Sequence, residues 1–162
     1  MYKAIELLMI EDNPGDIRLS QEYLKEYKVP NHLNVVKDDV EALRFLRGQG
    51  AYTLAALPDI ILISIRIIWM NDKRLFMQIN NHAALKHIPV VIMTGSEGEE
   101  ASLDEDLAVG LCLTKPLNLD CLFTVVQDSR DFSLTNWRTI SAPKPNELNP
   151  SPAWNNLAAM QN

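Results

Sequence analysis

The run Pro58-Asp59-Ile60-Ile61-Leu62-Ile63-Ser64-Ile65 constrains this chain more than any other. It does not alternate apolar with polar residues, so both sides of an extended segment here must be covered. A strand apolar on both faces belongs in the middle of a parallel sheet roofed by helices above and below. Shorter apolar runs recur at Ala4–Ile10, Leu33–Val36, Pro89–Thr94 and Leu111–Thr114. Helical patterns separate them. Asn13 can cap a first helix, with Pro14 at its first position and Asp16 at its positive end, running to about Lys28. Asp38 or Asp39 caps a second, with Val40, Leu43 and Leu46 on one face, ending near Gly48 or Gly50. A weaker helix covers Asp72–Asn81, and Ser96-Glu97-Gly98-Glu99 reads as a capping box for another that ends by Gly110. Asn118 caps a last helix with Leu119, Leu122, Phe123 and Val126 on one face. Five strand–helix units of this kind imply an α/β, doubly wound parallel sheet with right-handed crossovers.

Composition narrows the class. The chain has 162 residues, 47% apolar and 22% charged, enough for a self-standing core. Four of its nine prolines fall between Pro143 and Pro152, which divides the sequence into a domain over 1–140 and a Pro-rich tail over 141–162. Trp154, Leu157 and Met160 are spaced for one amphipathic turn within that tail. A net charge of −6 argues against a general electrostatic grip on nucleic acid. No apolar run reaches the ~18 residues of a membrane helix, and the start has no signal-peptide pattern. Cys112 and Cys121 match no zinc spacing and read as reduced thiols. The expectation is a cytoplasmic protein with no membrane or nucleic-acid partner. The residues after the fold are too few for a helix-turn-helix output domain.

Open α/β sheets bind ligands beyond the carboxyl ends of their strands. The residues found there are Glu11 and Asp12 after the first strand, Ser64 and Arg66 around the end of the third, Thr94 after the fourth, and Lys115-Pro116 after the fifth. In that order, Met9-Ile10-Glu11-Asp12-Asn13-Pro14-Gly15-Asp16, Pro58–Leu62, Ile88–Thr94 and Leu113-Thr114-Lys115-Pro116 resemble the receiver domain of two-component response regulators. Glu11–Leu19 and Asp131–Thr135 are most similar to the small single-domain regulators that serve bacterial and cyanobacterial phytochromes. The resemblance covers residues 4–138 or so. It implies a flavodoxin-like sheet in the order 2-1-3-4-5 and a cis Lys115-Pro116 turn.

The resemblance also implies a chemistry. In such domains an aspartate ending the third strand accepts a phosphoryl group from a kinase histidine. Two acidic residues after the first strand hold Mg²⁺ with it, and a hydroxyl and a lysine contact the phosphoryl oxygens. This chain keeps Glu11, Asp12, Thr94 and Lys115 but carries Ser64-Ile65-Arg66-Ile67-Ile68 where the family has an Asp-Leu-Asn-Leu-Pro-like segment. The stretch before Lys115 is two residues short, and Cys112 stands where the family has an aromatic residue. A neutral hydroxyl cannot form an acyl phosphate and removes a metal ligand.

Ser64, Thr94 and Lys115 are therefore expected to be a vestigial phosphorylation site, and Glu11, Asp12 and Arg66 a vestigial metal site. Two carboxylates would face two cations, Arg66 or Lys115 pairing with Asp12 or Glu11, with no metal and no cofactor required. Thr94 is either a surviving switch residue or a satisfied strand-end hydroxyl. The functional expectation is a degenerate, phosphorylation-independent receiver that binds proteins and is not an enzyme. Its partner would be a sensor histidine kinase or a phytochrome. The surface receivers commonly use, the helix from Ser96 with the fifth strand and last helix, would make a homodimer, extended by Phe123, Phe132, Leu134 and Trp137. Trp69 and Met70 are either a contact surface or packing. His32, His82 and His87 are expected in loops or at helix ends. One alternative is a working regulator that phosphorylates Asp59 or Asp16 instead. Another is a flavin carrier, which the acidic Glu11-Asp12 loop disfavours because it repels phosphate.

Overall fold

The computed structural model describes residues 4–71, 73–95 and 111–127. The elements are β1 (Ile5–Ile10), α1 (Pro14–Glu26), β2 (Asn31–Val36), α2 (Asp39–Leu46), a 3-10 turn (Gly50–Tyr52), β3 (Ile60–Ser64), α3 (Ile65–Met70), α4 (Arg74–Asn81), β4 (Val90–Thr94), β5 (Leu111–Thr114) and α5 (Leu119–Gln127). The five strands form one parallel sheet in the order β2-β1-β3-β4-β5, as expected. Strand residues alternate between two apolar clusters. Leu8, Ile10, Ile61, Ile63 and Ile92 pack with α2, α3 and α4, while Leu7, Met9, Leu62, Val91 and Met93 pack with α1 and α5. All five residues of β3 are buried, which is why its sequence has no polar side.

The caps are those the sequence predicts. The Asn13 side chain accepts from the Asp16 amide at 3.1 Å and Asp38 from the Glu41 amide at 2.7 Å. Asn118 accepts from the Asp120 and Cys121 amides at 2.9 and 3.1 Å. Gly48, just past α2, has φ +63°, a left-handed backbone that glycine adopts without a Cβ penalty.

Several expectations are corrected. Ile65 does not extend β3; it opens α3, so the segment after the strand is helical through Met70. His32 lies inside β2, not in a loop, with Nδ1 2.7 Å from Glu6 Oε1. Phe123 is a core residue under α5, packed with Leu119 and Leu122, and not part of an exposed contact face. Phe132, Leu134, Trp137, the helix expected from Ser96 and the tail over 141–162 lie outside the described residues. Among the described residues, no helix is long and apolar enough to cross a membrane.

Candidate functional site

The parallel register brings the sequence-predicted residues to one edge. Ile10 pairs with Ile63, Ser64 with Met93, and Thr94 with Thr114, so the residues that follow β1, end β3 and β4, and follow β5 are neighbours. The Lys115 amide donates to the Thr94 carbonyl at 2.7 Å, and the Lys115–Pro116 bond is cis.

Glu11 is almost wholly buried, yet each of its oxygens is engaged. Oε1 accepts from the amides of Asp12 (3.1 Å) and Asn13 (3.0 Å), and Oε2 accepts from Lys115 Nζ at 2.8 Å. Charge-assisted bonds of this kind are what allow a carboxylate to be buried. Lys115 Nζ donates also to Asp16 Oδ2 at 2.8 Å. Burial alone would lower the Lys115 ammonium's pKa; the bonds to Asp16 and Glu11 outweigh that and raise it above the ordinary lysine value. Arg66 is different. It stands half-exposed on α3, its Nη2 3.7 Å from Asp12 Oδ2, a long pair that water screens.

The electrostatic count therefore departs from the expected two against two. Asp16, four residues past Asp12 and expected to favour the helix dipole or, in the alternative reading, to be the phosphoacceptor, joins the site, so Glu11, Asp12 and Asp16 face Lys115 and Arg66. One negative charge is left over. No local pattern betrays the Asp16–Lys115 pair, because 99 positions separate its members.

Thr94 is not a satisfied hydroxyl. Among the described residues, Asp12 Oδ1, Ser64 Oγ and Thr94 Oγ1 are buried without a hydrogen-bond partner. Beside Ser64, a cavity of about 20 Å³ is lined by Glu11, Asp16, Lys115 and Pro116, room for a single water and little more. Mg²⁺ asks for near-octahedral oxygen ligands. Here Glu11 is fully engaged, its Oε2 taken by a lysine ammonium, and the position ending β3 offers a hydroxyl. These residues do not fit the ion, and among the described residues no group of three His, Cys, Asp or Glu side chains could hold a metal.

A tether below the site escaped the sequence reading. Tyr23 on α1 accepts from the Leu119 amide at 3.0 Å, and the Tyr27 hydroxyl donates to Asp120 Oδ1, so two tyrosines bind α1 to the start of α5. Burial pushes the Tyr23 hydroxyl up to about 12 against a lowering by the Leu119 amide. Burial and then the Asp120 carboxylate raise Tyr27 further.

An open sheet in this order, with its polar residues gathered at the carboxyl edge, defines a class: the flavodoxin-like α/β architecture to which receiver domains belong. The response regulator Rcp1 of Synechocystis sp. is 33% identical over 138 residues, 85% of this chain and 92% of the relative. The chain belongs to the response regulator receiver family. The crystal structure of the phosphorylated cyanobacterial phytochrome response regulator RcpA superposes with a TM-score of 0.58 at 32% identity, over 76% of this chain and 89% of RcpA. The Mn²⁺-bound form of Rcp1 gives 0.60 at 32% identity, over 86% of this chain and 99% of that one. No family model matches the chain.

Proposed function

We propose that this response regulator is a degenerate receiver that acts by protein contact and not by accepting a phosphoryl group. Ser64 stands in the acceptor's place at the end of β3. The observation that carries the reading is the Lys115 ammonium, bonded at 2.8 Å to both Glu11 and Asp16. It supplies from within the chain the positive charge that a metal supplies to a carboxylate cluster. Ser64, Thr94 and Lys115 are then a vestigial phosphorylation site, and Glu11, Asp12 and Arg66 a vestigial metal site. The protein is a binding module, not an enzyme. The likeness to Rcp1 and RcpA points to a sensor histidine kinase or a phytochrome as partner. The proposal includes a homodimer through the surface receivers commonly use, of which the outer strand β5, with Leu111 only partly buried, and α5 are the described parts.

The test is an intact-mass measurement after incubation with acetyl phosphate and Mg²⁺, alongside a Ser64→Asp variant. The wild-type chain gains no phosphate, and its tryptophan fluorescence shows no saturable response to sub-millimolar Mg²⁺. A hydroxylamine-sensitive phosphate on the wild type overturns the proposal. One observation favours a second reading, phosphorylation of another aspartate: Asp16 is a partly exposed carboxylate at this edge. Asp59 is less suited, since its carboxylate accepts from the Glu6 amide at 2.9 Å at the amino end of β3. Peptide mapping of any phosphate to Asp16 would establish that second reading.

A further inference from the structure

On the opposite face of the sheet from α1 and α5, α2 and α4 leave an open groove of about 420 Å³ between them. Its lining is Leu43 from α2 and Arg47 just past its end, with Arg74, Met77 and Gln78 from α4 and Leu85 from the turn after it among the residues opposite. Leu85 belongs to the core, so the floor is apolar, and Met77 is exposed beside it.

The charge pattern is the reverse of the molecule's. The chain carries −6, yet two arginines and a histidine line this groove and, among the described residues, no carboxylate does. Among the described residues, neither guanidinium is in an ion pair; Arg74 makes only a long 3.4 Å bond from Nε to the Asn71 carbonyl. Arginines flanking a methionine–leucine floor combine two features enriched where proteins bind one another.

We propose that the α2–α4 groove is a docking site for an acidic, amphipathic segment of a partner protein, whose apolar side chains cover Leu43, Met77 and Leu85 while its carboxylates take Arg47 and Arg74. Planar guanidiniums suit carboxylates because they bind them in a two-pronged fashion. A short segment feels chiefly these nearby charges, since screening extends only ~8 Å at physiological salt. An anionic membrane is disfavoured, because an extended surface meets the whole acidic chain and cannot enter a groove between two helices. The inference does not depend on the fate of the strand-end site: the groove shares no residue with that site and is there whether or not the chain accepts a phosphoryl group.

The test uses the full-length protein and a fluorescein-labelled synthetic helix of repeated Glu-Leu-Leu-Glu units, read by anisotropy, with methyl NMR to locate the contact. Saturable binding is expected, weakened by added salt, with shifts confined to Met77, Leu43 and Leu85. The Arg47→Glu/Arg74→Glu double variant should weaken binding by about tenfold or more. Arg44→Glu, the same replacement at a single position of α2 outside the groove lining, should leave it within about twofold of wild type. Circular dichroism establishes that the variants are folded. Equal affinity for a Lys-Leu-Leu-Lys helix, equal loss with Arg44→Glu, no saturable binding, or shifts elsewhere would each overturn the proposal, as would binding to phosphatidylserine vesicles that the double variant abolishes while the peptide does not bind.

Discussion

Take away the Lys115 side chain and a nearly buried Glu11 carboxylate loses the one cation that pairs with it among the described residues, while Asp16 is left beside it with the same charge. A buried charge without its partner costs several kcal/mol, moderated here because Asp16 reaches solvent. Lys115→Met should therefore lower unfolding stability by about 2–3 kcal/mol, and adding Asp16→Asn should recover part of the loss by removing one of the two stranded carboxylates. Urea midpoints of the single and double variants measure it; a Lys115→Met midpoint equal to wild type would show that the pair does not stabilise the fold. At this scale the sequence was partly legible. Glu11, Asp12, Ser64, Thr94 and Lys115 could be placed because each interrupts or follows an apolar run, and the carboxyl edge of a parallel sheet collects such positions. Asp16 could not, since its pairing with Lys115 arises only when α1 and the turn after β5 meet. Nor could the lone Ser64 and Thr94 hydroxyls, whose lack of partners depends on side-chain direction and not on spacing.

Elements were legible where a local signal agrees with packing. Helix α5 has both: Asn118 caps it, and Leu119, Leu122, Phe123 and Val126 are all buried. Asn118→Ala should cost about 1 kcal/mol, because two backbone amides lose their acceptor. Thermal unfolding of the variant checks this, and Asn118→Asp, which keeps the acceptor and suits the helix dipole, should be close to neutral. Helix α3 shows the opposite case. Ile65, Ile67 and Ile68 are β-branched and follow a strand without a turn signal, so locally they continue β3. The structure buries those three on one side and leaves Arg66, Trp69 and Met70 exposed on the other, the period of a helix and not of a strand. Packing against α4 and β4 decides the outcome, and nothing in six residues of sequence announces it.

For the molecule as a whole, the resolved titrations share a direction. The folded state raises the Cys121 thiol from 9.0 to about 11, through burial and then Asp120. It raises Tyr23 from 10.0 to about 12, and Tyr27 and Lys115 as well. A group that holds its proton more tightly when folded stabilises the fold below its unfolded pKa, and that contribution fades as pH climbs toward the folded value. Stability should thus decline from pH 9.0 upward and through about 12, since the unfolded chain releases these protons first. Urea titrations across that range should show a shallower fall for Tyr23→Phe/Tyr27→Phe than for wild type. An equal or steeper fall would mean that the tyrosine tether between α1 and α5 plays no part in alkaline unfolding. The covered parallel sheet with β3 at its centre was legible from the apolar run itself, whereas the strand order came from the resemblance to receiver domains.

The passage from Ser64 directly into Ile65 carries a mechanical consequence. Strand and helix are joined with no slack between them, and the helix is nailed down by three isoleucines that point inward. Any tug on Ser64 must travel along that strut to Trp69 and Met70, or else unwind its first turn; the outer rim there moves as one stiff piece with the middle of the sheet or does not move at all.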